Sequence, residues 1–348
     1  MRRLVSLLLL AVLLAACQKT EPVPKDPAPP SQLNIFALQE MQDSGFEAAV
    51  FREFASQNNT TLALSHFSDL PSLLSALAKD ENQGRVDLVL GLNSAFAILD
   101  SLLEPFSPLP EISLLEISHD IPREPQQRLI PYAQAHLALL YNSKAFPNPP
   151  QSFGELQDAR YYSQMAITDA SKDGLGRASL LWSVALFGEN GYDKLWSSLR
   201  KNVRRVYSDR WEALDALRRD ECKLMLGFHC TPAWIEEFYP SEIHIKASIP
   251  QEGSFRYVES AAVPKDAPNR DVALEFLRNL ISSETQQFVI FKLGLLPVNG
   301  RTPLPRQFSR IPLSVYATND RLEQDLVKEN LPAWLDRWNY LVNRIPGF

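Results

Sequence analysis

The sequence predicts an α/β protein built on a mostly parallel sheet that helices cover on both faces. Short, almost wholly apolar runs such as residues 86–92 alternate with longer stretches that carry apolar residues at helical spacing. Near-continuous apolar strands are typical of parallel sheets buried between helices. The chain has 348 residues, 45% of them hydrophobic, which is enough for one large domain or two medium ones.

Strands and helices already alternate in the first part of the body, over residues 33–92. Strands are indicated at residues 33–38, 62–64 and 86–92. Ser44 is placed to cap a helix, because a helical apolar face follows it and a serine hydroxyl can accept from the free N–H groups of the first turn. That face consists of Phe46, Ala49, Val50, Phe51 and Phe54. Pro71 opens the next helix, as proline commonly does at a first turn.

The rest of the body repeats the pattern. Later strands are indicated at residues 137–141, 164–168 and 224–228, and in a run that ends at 261–264. Later helices are indicated at residues 180–187, 271–280 and 284–293, after Thr231, and near the C-terminus around 334–341. Four tryptophans lie on helical apolar stripes and are interpreted as core residues: Trp182, Trp196, Trp334 and Trp338.

The N-terminus carries an export signal. Arg2 and Arg3 precede an apolar run over residues 7–16, and residues 14–17, Leu-Ala-Ala-Cys, have the form of a bacterial lipobox. The run is about half the roughly 20 residues that a membrane span needs. Residues 1–17 are therefore predicted to be a lipoprotein signal peptide, with Cys17 acylated after cleavage. The alternative is an ordinary secretory signal that happens to contain a cysteine.

The segment 18–32 is predicted to be a tether. It contains five prolines with charged residues between them and almost nothing apolar, so it cannot bury enough surface to fold. A spacer of this kind suits a globular body held at a membrane by a lipid on Cys17. Stable anchoring takes more than one acyl chain, which a diacylated or triacylated cysteine supplies.

Charge and cysteine content narrow the function classes. The formal net charge is −6, and cleavage removes two arginines, which argues against a nucleic-acid partner. Cys222 and Cys230 flank a predicted strand of about 26 Å, too far apart for a disulfide, so both are expected to be free thiols. The five histidines have no zinc-ligand spacing, and no nucleotide or nucleophile motif is present. We expect no cofactor, no metal and no enzymatic activity.

Several segments, in order, resemble the solute-binding proteins of bacterial ABC importers, in the branch that holds the thiamine-binding proteins. The most specific is Asn148-Pro-Pro-Gln-Ser-Phe153, which matches the turn after the family's crossover strand. The other matching segments are residues 86–93, 131–142, 169–182, 211–213, 228–234, 259–263, 296–299 and 334–338. The resemblance covers about residues 33–344.

The resemblance implies a two-lobed α/β clamp of the type II periplasmic-binding-protein fold, which closes on its ligand by hinge rotation. Lobe 1 is expected to contain residues 33–135 and about 250–305, and lobe 2 residues 136–249 and about 306–348. It further implies a monomer outside the cytoplasmic membrane that passes a small solute to an ABC importer permease. Thiamine or a thiamine phosphate is the first ligand expected. An organophosphonate, a polyamine and ferric iron are alternatives, as is a surface lipoprotein without transport.

The chain departs from the family at several ligand-binding positions. Residues 36–41 stand where the family has a tyrosine and an aspartate, and Ala133-Gln134 replace an acidic–aromatic pair. Residues 171–174 replace a loop rich in threonine and serine, and the aliphatic residues 293–296 replace a tryptophan. The architecture therefore carries over better than the ligand.

The candidate site residues fall on strand ends and helix starts. Trp211 and Trp234, with Phe228, are predicted to give aromatic faces for a flat cation, and Asp169 or Asp173 its counter-charge. The alternative is that both tryptophans belong to the core. Thr231 heads a helix that suits a phosphate or is a plain cap. Asn93 ends a buried strand, where clefts of open α/β sheets form, or is a turn former. Lys172 and Arg177 suit an anion or lie in a surface loop.

Overall fold

The computed structural model describes residues 30–96, 100–312 and 316–342. The predicted signal peptide, Cys17 and almost all of the predicted tether lie outside the described residues. Within the described residues, no helix is long and apolar enough to cross a membrane.

Ten strands lie within the described residues. They are β1 (Ser31–Leu38), β2 (Thr60–Phe67), β3 (Leu88–Asn93), β4 (Ile130–Asn142), β5 (Met165–Thr168), β6 (Val203–Tyr207), β7 (Leu224–Phe228), β8 (Ile245–Ser248), β9 (Arg256–Ala262) and β10 (Leu296–Pro297).

The helices of the described residues connect these strands. They are α1 (Gln39–Asp43), α2 (Phe46–Gln57), α3 (Leu70–Leu77), α4 (Gly174–Leu199), α5 (Arg210–Arg218), α6 (Thr231–Phe238), α7 (Arg270–Leu280), α8 (Ser283–Phe288) and α9 (Gln324–Val342). A π-helical turn, Val289–Leu293, extends α8. α4 is interrupted at Gly188, whose φ of 67° breaks the helical path.

Strand β4 joins two groups of strands. Its residues from Ile130 to His136 pair with β9, and its residues from Leu137 to Tyr141 pair with β7. We call lobe I the group β1, β2, β3, β9, β10 and the first half of β4, with α1–α3, α7 and α8. Lobe II is the second half of β4 with β5–β8 and α4–α6. The two-lobed α/β architecture predicted from the sequence is confirmed.

The crossover strands give each lobe a mixed sheet. β1 pairs in parallel with β2 and β3, and β5 pairs in parallel with β6 and β7. β4 pairs antiparallel with β7, β8, β9 and β10, and β3 pairs antiparallel with β9. The chain returns to lobe I beside its first crossing, where Leu137 N donates to Phe255 O at 2.9 Å. The two crossings between the lobes are therefore adjacent.

Packing confirms several predictions. Trp182, Trp196, Trp334 and Trp338 are all buried. Trp196 and Trp338 meet edge to face at 5.7 Å between ring centroids, which packs the C-terminal helix α9 on α4. Cys222 and Cys230 are buried free thiols, as the strand between them requires.

Ser44 lies one position before the N-cap of the predicted helix, and its Oγ accepts from Phe46 N at 3.3 Å. A short helix, α1, comes directly after β1, and Ser44 ends that helix by donating its backbone N–H to Glu40 O at 3.0 Å. The N-cap of α2 is Gly45, whose φ of 74° lies in the left-handed region that glycine adopts freely. The chain therefore passes from β1 into α1 without the loop that was expected before Ser44. This turn places Glu40 at the cleft.

Candidate functional site

A cavity of about 820 Å³ lies between the two lobes. Lobe I contributes α1, the start of α3 and the end of β3, and lobe II contributes the starts of α4 and α5 and one face of α6. Ligands of open α/β sheets bind at the carboxyl ends of strands, because the loops there are free to carry polar groups. This cavity, called the cleft below, has the place and the size of a small-molecule site.

Four aromatic side chains form one wall of the cleft. Trp211 on α5 and Trp234 on α6 lie 5.1 Å apart between ring centroids, at 56°. Phe238, one turn along α6, is 5.1 Å from Trp234, and Phe291 from lobe I is 6.3 Å from Phe238. All four line the cleft. The wall offers the π-faces that a flat cation requires.

The two indoles also hold the lobes together. Trp211 Nε1 donates to Glu40 Oε1 at 2.8 Å, and Trp234 Nε1 donates to the carbonyl of Phe291 at 3.2 Å, both across the cleft. Gly294 lets the rings approach lobe I, because a Cβ there would lie 3.3 Å from the Trp211 ring, and its φ of 63° favours glycine. Residues of the aromatic wall therefore take part in the contact between the lobes.

A buried arginine lies at the base of this contact. The Arg210 guanidinium forms an ion pair with Glu40 of lobe I and donates to Leu293 O at 2.6 Å. Its centre lies 4.3 Å from the Trp211 ring centroid. Burial alone would lower the pKa of Arg210, but Glu40 and Glu259 outweigh burial and raise that pKa above its ordinary value. Arg210 therefore stays charged and fixes both Glu40 and one face of Trp211.

A second carboxylate lies behind the cleft wall. Glu259 on β9 accepts from the Tyr132 hydroxyl at 3.0 Å and from the Tyr257 hydroxyl at 3.1 Å. Burial and the neighbouring Glu40 charge raise the pKa of Glu259 to about 7. The two tyrosines hold this carboxylate away from the cavity, whereas Tyr257 itself lines it.

The start of α4 touches lobe I directly. Asp173 caps this helix by accepting from Gly176 N at 2.9 Å, and loss of solvent raises the pKa of Asp173 to about 6. A Cβ on Gly174 would lie 2.5 Å from the Tyr257 hydroxyl and 2.7 Å from Asn93 Nδ2, so only glycine fits this approach. Asn93 is buried, and no described group hydrogen-bonds to its Oδ1.

Of the predicted site residues, Trp211, Trp234, Asp173 and Asn93 line the cleft. Their binding of a ligand stays a prediction. The structure places the other three outside the cleft lining. Phe228 is buried beneath Arg210 and packs on Tyr257 at 4.9 Å. Thr231 is buried at the first turn of α6, and Asp169 caps its own loop by accepting from Ser171 N at 2.8 Å.

Of the two basic residues predicted to form an anion site at the start of α4, only one lines the cleft. Lys172 lines the cleft, but Arg177 is buried, and its Nε donates to Ala170 O at 2.7 Å. The Arg177 guanidinium stacks on Phe96 at 3.9 Å from the ring centroid. Helical spacing turns Arg177 inward, one turn after Asp173, so it ties lobe II to lobe I instead of facing a ligand.

Sequence reasoning missed the polar base of the cleft and half of its aromatic wall. The missed residues are Glu40, Arg210, Tyr257, Glu259, Phe238 and Phe291. Arg210 and Glu40 are distant in sequence and lie on different lobes, so their contact depends on how the lobes pack together. The only available signal was Asp209, a good N-cap that places Arg210 and Trp211 together in a first turn. No group of three or more metal-ligating side chains occurs among the described residues.

Comparison with known proteins agrees with this geometry. The family model of bacterial extracellular solute-binding proteins matches residues 101–343, and the chain belongs to that family. The thiamine-binding periplasmic protein of Escherichia coli (strain K12) is 25% identical over 308 residues, which cover 87% of this chain and 90% of that protein. The predicted resemblance to the thiamine-binding branch is confirmed.

Solved structures support the fold. A periplasmic thiamin binding protein superposes with a TM-score of 0.80 at 22% identity, over 93% of this chain and 100% of that one. The ferric binding protein from Campylobacter jejuni superposes with a TM-score of 0.74 at 13% identity, over 89% of this chain and 99% of that one. Both matches span both lobes, which confirms the type II periplasmic-binding-protein fold.

Proposed function

We propose that this chain is the extracytoplasmic solute-binding lipoprotein of an ABC importer and that it binds thiamine or a thiamine phosphate without chemical turnover. Two of the three proteins named above are thiamine-binding proteins, and both align over most of their own length and of this chain. The importer role rests on membership of the solute-binding family. In the proposed sequence of steps, the cleft binds the solute, the lobes close about the hinge, and the solute is released to a permease.

One observation carries the ligand assignment: the aromatic wall stands beside a strongly acidic cleft lining. Seven carboxylate side chains line the cleft against three basic ones. A thiamine molecule is flat and positively charged, so it gains from stacking on indoles and from nearby carboxylates. A desolvated cation over an aromatic face is worth roughly 0.5–2 kcal/mol.

The roles follow from the positions of the side chains. Trp234 and the face of Trp211 that is turned away from Arg210 stack on the rings of the ligand. Asp173 and Glu40 balance its charge, and Asn93 Oδ1 accepts from its amino group. Closure is proposed to turn residues 33–135 and about 250–305 against residues 136–249 and about 306–348. The paired crossings near Leu137 and Phe255 supply the axis.

Ferric iron is the alternative with a structural neighbour. It is disfavoured because, among the described residues, Tyr257 is the one tyrosine that lines the cleft, and its hydroxyl donates to Glu259. An organophosphonate suits the acidic lining poorly, whereas a polyamine suits the charge but not the aromatic wall. A surface lipoprotein without transport would keep the fold and lack a neighbouring permease gene.

Ligand extraction tests the assignment directly. The protein is purified without added ligand and is then denatured. The small molecules that it releases are identified by mass. We expect thiamine or one of its phosphates in a ratio approaching one per chain. Release of a polyamine, an organophosphonate or stoichiometric iron instead would overturn the assignment while leaving the solute-binding class in place.

The anchor is tested by a single substitution. Cys17→Ser removes the thiol that the proposal acylates, so we expect this variant to lose its partition into detergent and its membrane association. Cys222→Ser is the matched control, because Cys222 is a buried free thiol in the body. Equal partition of wild type and Cys17→Ser into detergent would contradict lipid anchoring.

Thiamine affinity is expected to rise with pH. The pKa of Asp173 is raised to about 6, so part of its population is protonated in mild acid. A cation favours the ionised carboxylate, binding releases the proton, and affinity increases as pH rises through that value. The affinities measured by calorimetry at about pH 5.5 and about pH 8 should differ about threefold to fourfold. Asp173→Asn should remove most of this difference; an unchanged pH profile in that variant would contradict the role of Asp173.

A further inference from the structure

We propose that the cleft selects its ligand by charge, taking thiamine as the unphosphorylated cation and discriminating against its phosphate esters. This inference rests on the proposed function and narrows it. The observation behind it is that aspartates cap the three helices of eight or more residues that begin at the cleft. Neither the family assignment nor the fold specifies these caps.

Besides the five-residue helix α1, which has no side-chain cap, three longer helices begin at the cleft: α3 in lobe I and α4 and α5 in lobe II. A helix N-terminus carries free N–H groups and the positive end of the helix dipole, so it ordinarily favours phosphate. A binding cleft with three uncovered N-termini would suit a phosphorylated ligand well.

Each of these N-termini is instead occupied by an aspartate of the chain itself. Asp69 accepts from Ser72 N at 2.8 Å, and Asp173 accepts from Gly176 N at 2.9 Å. Asp209 accepts from Trp211 N at 2.8 Å and Glu212 N at 3.0 Å. Each aspartate occupies one or two of the first-turn N–H groups and places a carboxylate where a phosphate would otherwise bind.

The remaining charges of the lining do not reverse this balance. Asp43, Glu212 and Asp215 add carboxylates at the rim. Arg210 is committed to Glu40 and to Leu293 O. Lys172 and Lys292 are the other basic residues of the lining, and Lys172 lies close enough to Asp69 to help lower the pKa of that carboxyl.

An anionic phosphate therefore enters a cleft lined by more carboxylates than basic groups, and the start of each of the three longer helices already carries an aspartate. The positive ring of thiamine gains from the same carboxylates. Discrimination should increase from monophosphate to diphosphate, because each added charge meets the same repulsion. It should also weaken at high salt, since the rim carboxylates are exposed to screening.

The test compares thiamine, thiamine monophosphate and thiamine diphosphate by calorimetry on the full chain. We expect the diphosphate to bind at least about tenfold more weakly than thiamine. The triple variant Asp69→Asn, Asp173→Asn and Asp209→Asn keeps capping groups, since asparagine caps helices about as well as aspartate. In this variant the ratio of the thiamine affinity to the diphosphate affinity should fall by at least about tenfold, which corresponds to roughly 1.4 kcal/mol.

Asp158→Asn is the matched control, because Asp158 caps a one-turn helix outside the cleft by accepting from Arg160 N at 2.9 Å. It should leave the ratio unchanged. If the triple variant does not fold, Asp69→Asn and Asp209→Asn carry the test singly, each with a shift of about threefold in the ratio.

The outcomes distinguish a failure of charge selection from a failure of the proposed function. Thiamine binding with equal affinity for the diphosphate, or an unchanged ratio in the cap variants, overturns charge selection and leaves the proposed function standing. Tighter binding of the diphosphate overturns charge selection more strongly. Binding of none of the three compounds overturns the proposed function and this inference together.

Discussion

Arg210→Met is expected to lower the free energy of unfolding by about 3 kcal/mol, the largest effect on stability that the cleft predicts. Arg210 is buried and forms an ion pair with Glu40, whose side chain is 23% exposed. Removing the cation leaves Glu40 and the nearby Glu259 without their compensating charge in a desolvated site. Breaking a buried pair on one side costs about 3–5 kcal/mol, and the partial exposure of Glu40 favours the lower end.

Urea unfolding followed by circular dichroism measures this cost. The double variant Arg210→Met with Glu40→Gln should be clearly less destabilised than the sum of the two single variants, because neither charge is then left alone. Arg310→Met is the control, since Arg310 pairs with Glu236 at an exposed position and should change stability by less than about 0.5 kcal/mol. Strictly additive losses at Arg210 and Glu40 would show that the pair does not couple the lobes.

Trp211→Ala is expected to weaken thiamine binding roughly 50-fold, or by about 2.3 kcal/mol. Two losses add up. The ligand loses an aromatic face, and Glu40 loses the Nε1 donor at 2.8 Å that orients its carboxylate in the cleft. Trp211→Phe keeps a ring but removes the donor, so we expect an intermediate loss of about fivefold to tenfold.

Trp234→Ala should weaken binding about tenfold, because its Nε1 bonds a backbone carbonyl and orients no charge. Tyr162→Ala is the control, since Tyr162 is 65% exposed and lies outside the cleft lining. Calorimetry on these variants separates site from ligand. Tight thiamine binding that neither tryptophan substitution disturbs would refute the aromatic wall as the binding surface.

The sequence was sufficient to predict the elements because their signals are local. The apolar runs and helical faces predicted most strands and helices to within a few residues, and the buried tryptophans Trp182, Trp196 and Trp338 followed from helical spacing alone. The N-cap of α2 is one residue later than predicted, at Gly45, although Ser44 Oγ still accepts from Phe46 N. The short helix α1 between β1 and Ser44 was not predicted.

The candidate site was predicted only in part, because its base is made by contacts between lobes. Trp211, Trp234, Asp173 and Asn93 stand at strand ends or helix starts and were within reach of pattern reasoning. Arg210 and Glu40 are separated by 170 residues, and their partnership depends on how the lobes meet. Phe228 and Arg177 show the opposite error, since a side chain of suitable chemistry near the cleft was turned inward by the period of its element.

Calorimetric titration of the wild-type protein with thiamine tests the central claim most directly. We expect saturable heat with one ligand per chain, and an affinity that falls as salt screens the acidic cleft. Absence of heat with thiamine and with both of its phosphates, in protein stripped of ligand by unfolding and refolding, would contradict it.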